Sequence, residues 1–413
     1  MTENTSFIFS PADILLPKFS HDSAQMSKWA VIACDQFTSE RAYWDECESY
    51  IGDSPSTYNY ILPEAYLGSE KEQIQNENIK EHMDSFDKDS MSETNCFIYV
   101  ERTLPNGKIR HGLVGKIDLE SYDYTDGSNS PVRATEATVV ERIPSRCKVR
   151  AAAKIELPHI LVLVGEKNAI FNEITKNKLK YKIAYDFDLM MGGGHIKGYE
   201  IKGENLDPVM KKIAEYESSA KGVVYAVGDG NHSLAAAKTH WESIKKTTGV
   251  TDHPARYVLC EITSVSDRSL EFEPIYRIMT GCDVDDVMRE LSGITIPAAG
   301  YNDAQNIKVI AEGESRLLTF SIPSHALTVG TLQNFIDNYI RTHSGVSCDY
   351  IHGEDSVKKL TSNKGCIGFI MDVMDKKKLL PYVSRNGALP RKTFSMGEAE
   401  SKRYYLEARV IVE

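Results

Sequence analysis

The sequence lacks paired cysteines, long hydrophobic runs and an excess of basic residues, and each absence excludes a class of protein. Its eight cysteines are scattered and none belongs to a Cys-x-x-Cys pair, which argues against a zinc ribbon and against a redox dithiol. No apolar run approaches the ~20 residues that a membrane helix needs, and the first residues do not have the basic and then apolar pattern of an export signal. We therefore expect a cytoplasmic protein with reduced thiols and no membrane partner.

The charge balance is acidic. The chain has 48 Lys and Arg residues against 59 Asp and Glu residues, which gives a net charge of −11. A broad nucleic-acid interface needs a basic face, so nucleic acid is not an expected partner. A length of 413 residues with 41% hydrophobic residues is enough for packed cores in two or three domains, and a homo-oligomer is compatible with this composition.

One stretch combines a strand, a glycine-bearing turn and a helix. Residues 223–227 form a short apolar run, residues 228–233 read Gly-Asp-Gly-Asn-His-Ser, and helix-forming residues follow from Leu234. In this arrangement the first N–H groups of the helix and the positive end of its dipole face an anion. The turn has more polar residues than a turn requires, which favours an anion site. The alternative is a capped turn with a buried histidine.

Residues in other segments could complete this site. Glu136 could be a general base, and a solvated surface position explains it equally well. Arg133 could meet an anionic substrate. His195 follows three glycines and could belong to a ligand-binding loop or to a plain flexible turn. Lys392 lies in a basic loop and could bind phosphate or carboxylate.

The interspersed strands and helices do not alternate strictly. They predict an α+β protein with a mixed β-sheet core and flanking helices. We assign residues 1–270 to an N-terminal α/β domain that carries the 228–233 turn, and residues 271–413 to a C-terminal α+β domain. The second domain is expected to contribute the loop Pro390–Thr393 to the same cleft.

The chain resembles a bacterial and archaeal family catalogued as domain of unknown function 1015, from roughly Phe9 to the C-terminus. Residues 134–138 read Ala-Thr-Glu-Ala-Thr where the family commonly has Pro-His-Glu-x-Thr. Residues 229–233 stand where it commonly has Asp-Gly-His-His-Arg, and residues 390–393 where it commonly has Pro-x-Lys-Ser-Thr. The resemblance implies no established activity.

The turn also resembles, more loosely, the Asp-Gly-Asn-His-Arg box that precedes a helix in the ParB/sulfiredoxin superfamily. Members of that superfamily bind nucleotides, and some are phosphotransferases, including a free-serine kinase. The resemblance implies a ParB/sulfiredoxin-like strand-turn-helix that holds phosphate. This chain has Ser233 in place of the arginine, so a bidentate phosphate donor is missing unless Arg133, Arg146 or Lys392 replaces it.

We therefore predict a nucleotide-dependent phosphotransferase or nucleotide hydrolase that acts on a small polar molecule, with Mg²⁺ and ATP or ADP as cofactors. In this hypothesis the catalytic residues are Glu136 as the base, Asp229 as the group that places the metal ion or the acceptor hydroxyl, and His232 as a donor to phosphate. The residues expected to bind phosphate or ligand are Gly228, Gly230, Asn231, Ser233, Arg133, His195 and Lys392.

Two alternatives use the same residues differently. The first is a non-catalytic ligand-binding or regulatory module that uses the same cleft. The second is a metal-dependent hydrolase with His195, His232 and Asp229 as ligands, although their spacing matches no zinc signature.

Overall fold

The computed structural model describes residues 7–125, 127–136, 138, 143–165, 169–298 and 304–413. Residue contacts divide the chain into two units. Unit 1 comprises the chain up to Glu271 together with Leu379–Ala388 and Gly397–Glu413, and unit 2 comprises Phe272–Lys378 and Leu389–Met396. Both units mix helices with strands, which confirms the predicted α+β class. Two late segments that the sequence division places in the C-terminal domain pack with unit 1.

The helices in the described ranges are α1 (Ser23–Trp29), α2 (Arg41–Ile51), α3 (Glu70–Asp84), α4 (Ile143–Ala152), α5 (Ile170–Asn177), α6 (Leu206–Ser219), α7 (Asn231–Thr248), α8 (Val284–Ser292), α9 (Thr328–Thr342), α10 (Glu354–Leu360) and α11 (Leu379–Asn386). Among these, α8, α9 and α10 belong to unit 2. None of the described helices combines the length and the hydropathy needed to cross a bilayer.

The strands are β1 (Phe9–Ser10), β2 (Ala12–Pro17), β3 (Val31–Ile32), β4 (Met91–Thr103), β5 (Ile109–Asp118), β6 (Val132–Ala134), β7 (Ile155–Glu156), β8 (Leu161–Val164), β9 (Lys182–Asp188), β10 (His195–Ile201), β11 (Tyr225–Asp229), β12 (Tyr257–Ser264), β13 (Phe272–Thr280), β14 (Thr295–Pro297), β15 (Asn306–Ala311), β16 (Glu314–Phe320), β17 (Ser347–His352), β18 (Cys366–Ile370), β19 (Phe394–Met396), β20 (Tyr404–Tyr405) and β21 (Arg409–Val410). Strands β13 to β19 belong to unit 2.

A mixed sheet forms the centre of unit 1. Its strand order is β6-β11-β8-β12-β5-β4-β10-β9, with β1 paired to β5 and β2 paired to β4. The pairs β6–β11 and β8–β12 are parallel, and the other pairs in this order are antiparallel. The turn that joins β4 to β5 contains Asn106 and Gly107, and Gly107 has a φ of 80° there.

The sheet of unit 1 is covered on both faces. Alternate residues of β4 enter different hydrophobic clusters, with Ile98 and Val100 in one and Phe97 and Tyr99 in the other. All four residues of β8 are buried, which explains why this strand is a continuous apolar run instead of an alternating one. Helix α7 contributes Leu234, Ala237 and Trp241 to the second cluster, at the i, i+3, i+7 spacing of one helix face.

The C-terminal segment of the chain returns to unit 1 and joins three separate elements. Strand β20 pairs with β3, and β21 pairs with β7. Between these strands, Ala408 exchanges backbone hydrogen bonds of 2.8 and 3.0 Å with Leu15. The segment therefore connects the N-terminal strands to the main body of unit 1.

The same segment carries a buried ion-pair network. Arg403 donates from Nε to Glu261 at 2.8 Å and from Nη2 to Glu407 at 2.6 Å. The hydroxyl of Tyr185 donates to the other oxygen of Glu407 at 2.6 Å. All four residues are buried. Both carboxylates are removed from water, which raises the free energy of their charged forms. The Arg403 guanidinium offsets this desolvation cost only while it stays in place.

Unit 2 has its own sheet and core. Its strand order is β14-β16-β15-β18-β13-β17, and β19 pairs with one end of β13. Helix α9 places Leu332, Phe335, Ile336 and Tyr339 against this sheet, at the spacing of one helix face.

Replacing Arg403 with methionine should lower the free energy of unfolding by about 3–5 kcal/mol, because Glu407 would stay buried without its counter-charge and Glu261 would keep only the more distant Arg110, at 3.8 Å. Urea titration followed by circular dichroism measures this. Lys88→Met is the control, since its salt bridge to Glu93 is largely exposed and should cost less than about 1 kcal/mol. Equal losses in the two variants would contradict the role given to the network.

Stability should also depend on pH through His111 and Asp267, which are 2.9 Å apart. Burial raises the pKa of Asp267, but hydrogen bonds from His111 and Ser269 outweigh it and lower that pKa. The same bond to Asp267 raises the pKa of His111. Because the Asp267 pKa is lowered in the folded state, Asp267 stabilises the fold at pH values above the ordinary aspartate pKa. Because the His111 pKa is raised in the folded state, His111 stabilises the fold at pH values below the ordinary histidine pKa.

Urea titrations of wild type and Asp267→Asn across pH test this pair. The wild type should exceed the variant in free energy of unfolding most clearly at about pH 5 to 6, between the unfolded pKa values of the two groups. The difference should shrink as pH falls through the folded Asp267 pKa and as pH rises through the folded His111 pKa. A difference that does not vary with pH would contradict the assignment.

Candidate functional site

The turn at residues 228–233 joins β11 to α7 at the carboxyl end of the strand. Tyr225, Ala226 and Val227 are buried, whereas each residue from Gly228 to Ser233 is partly exposed. Gly230 is the N-cap residue of α7 and has a φ of 80°. Because glycine has no side chain, it cannot accept hydrogen bonds from the first turn of the helix as Ser or Asp would. The polar residues of the turn are thus next to a helix N-terminus and within reach of solvent.

Gly230 also allows the turn to pack closely against Ile160, the residue before β8. A Cβ atom at this position would lie 3.0 Å from the Cγ1 atom and 3.1 Å from the Cα atom of Ile160. The side chain of Asp229 accepts a hydrogen bond of 2.9 Å from the Gly230 N–H. The sequence therefore specifies both the left-handed glycine and the carboxylate that faces it.

Lys402 brings a positive charge to the turn. Its Nζ atom lies 3.2 Å from Oδ2 of Asp229, and its side chain is only 14% exposed. Lys402 is absent from the set of site residues predicted from the sequence, in which Lys392 is the cation expected to bind phosphate or carboxylate. No local signal marks Lys402, because it reaches Asp229 from the C-terminal segment.

Asp35 adds a second carboxylate near Lys402. Burial raises the pKa of Asp35, but the interactions with His159, Lys402 and Arg146 and a hydrogen bond from Gln36 outweigh it, so the pKa falls below the ordinary value. Arg146 on α4 pairs in turn with Glu64. Asp35 therefore stays ionised. An ionised carboxylate can bind Mg²⁺ or accept a hydrogen bond from a substrate hydroxyl.

A histidine absent from the predicted set contacts the turn from the other side. Nε2 of His159 lies 3.2 Å from the Ser233 hydroxyl, and Nδ1 lies 3.0 Å from the Tyr405 hydroxyl. His159 and Tyr405 are buried. Sequence position alone could not connect these residues, since they come from three distant segments.

Asn231 and His232 form the first turn of α7 and are partly exposed. Oδ1 of Asn231 is itself buried and has no hydrogen-bond partner in the part of the chain that the structure describes. In folded proteins a water molecule or a bound group usually satisfies such an atom.

Glu136 comes close to the turn through strand pairing. Strand β6 is parallel to β11, with Ala134 opposite Val227. The Thr135 hydroxyl donates to the Val227 carbonyl at 2.6 Å, so the chain stays beside β11 after β6 ends. Glu136 and Asp229 are each two residues past the last paired position, and so follow the same end of adjacent strands. Ala137 of that motif lies outside the described residues.

Arg133 does not point its charge into the turn. It is buried, and its guanidinium donates to the carbonyl oxygens of Ser130 at 2.8 Å and Val383 at 3.5 Å. Because its donors hold backbone oxygens, Arg133 is better explained as a structural residue of unit 1 than as the cation that replaces the missing arginine.

His195 lies elsewhere in the sheet. It begins β10, which is five strand positions from β11 in the sheet order. Its ring nitrogens contact Asp188 at 2.7 Å and Asp186 at 2.8 Å. The structure therefore does not assemble His195 with His232 and Asp229 as the hydrolase alternative requires. In the described ranges, the one cluster of three metal-ligating side chains is Asp286, Glu290 and His343 in unit 2.

Lys392 lies in unit 2 and is exposed, with a φ of 53°. The buried Arg277 holds its loop by donating to the carbonyl oxygens of Lys392 at 2.9 Å and Arg391 at 2.8 Å. The contribution of this loop to the cleft of the 228–233 turn stays a prediction.

A family model described as "Protein of unknown function (DUF1015)" matches residues 16–339. The chain belongs to the DUF1015 family. This confirms the family that residues 134–138 and 229–233 indicate, and the ParB/sulfiredoxin resemblance stays a prediction. No curated protein matches this DUF1015 chain.

Several solved structures are similar to this DUF1015 protein. A conserved hypothetical protein from Pyrococcus furiosus is 12% identical, with 69% of this chain and 94% of that chain covered and a TM-score of 0.35. A free serine kinase in complex with AMP is 11% identical, with 69% and 92% covered and a TM-score of 0.37. SbnI with a C-terminal truncation, from Staphylococcus aureus, is 8% identical, with 73% and 83% covered and a TM-score of 0.35. Since all three TM-scores are below 0.5, the chemistry of the site must be inferred from its own contacts.

Gly230→Ala should destabilise the protein more than Gly249→Ala does. Both glycines cap α7 with a positive φ, so each substitution should cost about 1–2 kcal/mol for the left-handed backbone. Gly249 has open space around its added Cβ atom, whereas Gly230 meets Ile160. Urea titration of the two variants therefore measures the cost of the contact between the added Cβ atom and Ile160. Equal free energies of unfolding would show that the turn is not closely packed against Ile160.

Proposed function

We propose that unit 1 binds the phosphates of a nucleotide at the start of α7 and transfers a phosphoryl group to a small polar molecule or to water. The observation that carries this proposal is the Asp229–Lys402 pair beside the uncapped helix N-terminus. A helix N-terminus and an ammonium group both favour a phosphate, and a carboxylate next to them can hold the Mg²⁺ that accompanies it.

In this proposal Lys402 exchanges partners when the nucleotide binds. A phosphate at the start of α7 would compete with Asp229 for the ammonium group, because the two anions are close to the same Nζ atom. Asp229 would then be available to Mg²⁺ or to the acceptor hydroxyl. Phosphoryl transfer depends mainly on positioning and electrostatic stabilisation, and this arrangement supplies both.

The neighbouring residues have supporting roles in the proposal. Glu136 is the base that takes the proton of the acceptor, and His232 donates to a phosphate oxygen. The buried Oδ1 atom of Asn231 is an acceptor, so Mg²⁺ or the hydroxyl of the small polar molecule is its proposed partner. Asp35 stays ionised and can share the metal ion with Asp229. ATP or ADP with Mg²⁺ is the proposed cofactor pair, and Lys402 supplies the positive charge that was expected from Lys392.

ATP with Mg²⁺ should raise the melting temperature of the wild-type protein, and Asp229→Ala or Lys402→Met should abolish most of that rise. A ligand at 100 times its Kd stabilises a protein by about 2.7 kcal/mol, which a thermal-shift measurement detects readily. Lys211→Met, an exposed position on α6, should behave like the wild type. Lys392→Met measures separately whether the unit 2 loop takes part.

Turnover of ATP in the same samples separates the candidate functions. Stabilisation by ATP with release of ADP supports the phosphotransferase or hydrolase. Stabilisation without turnover favours the non-catalytic binding module. Unchanged ATP stabilisation in folded Asp229→Ala and Lys402→Met variants would place the nucleotide elsewhere and overturn the proposal.

A further inference from the structure

A series of hydrogen bonds runs from the start of α7 into the interior of unit 1. It begins at the Ser233 hydroxyl, which is 3.2 Å from Nε2 of His159. Nδ1 of His159 is 3.0 Å from the Tyr405 hydroxyl, and that hydroxyl is 3.1 Å from the sulfur of Cys34. His159 and Tyr405 are buried, whereas Ser233 is partly exposed. A reagent from solvent would therefore meet the serine, with the imidazole behind it.

The protons of this series can be arranged so that His159 acts as a base toward Ser233. A phenol has one proton to donate, and Tyr405 donates it to the Cys34 sulfur. Tyr405 can then accept from Nδ1–H of His159, and in that tautomer the lone pair of Nε2 faces Ser233. Burial raises the pKa of Cys34 to about 12 and raises that of Tyr405 above its ordinary value. Both groups therefore keep their protons at neutral pH.

We propose that Ser233 is a covalent nucleophile, with His159 as its base and Tyr405 as the residue that positions His159. A nucleophile within hydrogen-bond reach of a base, and a third group that orients the base, are the recognised parts of such a site. The inference does not require a nucleotide, and it assigns Ser233 a reaction in place of the phosphate-binding role predicted from the sequence.

The substrate class follows from the groups around the serine. Attack by the Ser233 Oγ atom on a phosphorus atom forms the O–P bond, and the hydroxyl proton passes to Nε2 of His159. The bond from phosphorus to the leaving group breaks, and its electron pair departs with that group. Negative charge that develops on the phosphoryl oxygens is next to the N-terminus of α7, which stabilises it. An activated phosphate ester, anhydride or halide meets these requirements.

Diisopropyl fluorophosphate tests the nucleophile directly, because its P–F bond breaks and fluoride leaves when a serine attacks. The intact protein is incubated with this reagent, and its mass and peptide map are measured. We expect one adduct, on Ser233, and none in Ser233→Ala. Ser243→Ala, an exposed position on the same helix, should label like the wild type. Labelling of the wild type no faster than of Ser233→Ala would overturn the inference.

Two further variants separate the base from the positioning residue. His159→Gln should lower the maximal labelling rate by about 100-fold. Tyr405→Phe should lower the maximal rate while leaving the half-saturating reagent concentration unchanged, because the lost hydroxyl contacts His159 and not the reagent. Tyr405→Phe also keeps the ring beside His159, at a centroid distance of 5.3 Å. If His159→Gln does not fold, this second variant decides the matter, and an unchanged rate in it would count against the proposal.

The same samples distinguish this inference from the proposed function. The reagent contains no nucleotide, so labelling of Ser233 in a protein that ATP does not stabilise would contradict only the proposed function. Stabilisation by ATP without labelling would contradict only the nucleophile.

Discussion

The ion pairs of Arg403 with Glu261 and Glu407 are the constraint on which the rest of unit 1 depends. They join the C-terminal segment to β12 in the middle of the large sheet, and all three side chains are buried. Removing two carboxylates from water is costly, and the Arg403 guanidinium compensates for it together with Arg110 beside Glu261 and the Tyr185 hydroxyl beside Glu407. The position of the C-terminal segment is therefore specified narrowly by charge as well as by apolar packing.

This constraint places two residues of the candidate site. Lys402 immediately precedes Arg403 and reaches Asp229, while Tyr405 follows two residues later and reaches His159. The two contacts meet opposite ends of the same turn, since Asp229 precedes Gly230 and His159 contacts Ser233 at the start of α7. Packing the segment into the core thus fixes both the cation and the group that orients the histidine.

The sequence predicts the local part of this site and misses the long-range part. The apolar run, the glycine turn and the helix formers indicate the strand-turn-helix correctly, because their signals lie within a few residues of one another. Lys402 and His159 carry no such signal, since only the folded chain brings them to the turn, and Asp35 is indicated only by its position at the end of a predicted strand. His195 illustrates the opposite situation, a local signal without a long-range contact to the turn among the described residues. Its three preceding glycines favour a ligand loop, but strand pairing places it between Asp186 and Asp188.

Adjacent cations in the C-terminal segment have different tasks, and their chemistry explains the difference. Arg403 is fixed by a planar guanidinium that donates to Glu261 and Glu407 at once, so it cannot release either carboxylate without leaving a buried charge unpaired. Lys402 has a compact ammonium on a flexible chain, and its partner Asp229 is 25% exposed. In the proposed function, this ammonium passes from a carboxylate to a phosphate at a small cost in free energy. Solvent screens the charge of Asp229, and the helix N-terminus stabilises the phosphate. An arginine at 402 would hold Asp229 more firmly and make that exchange harder.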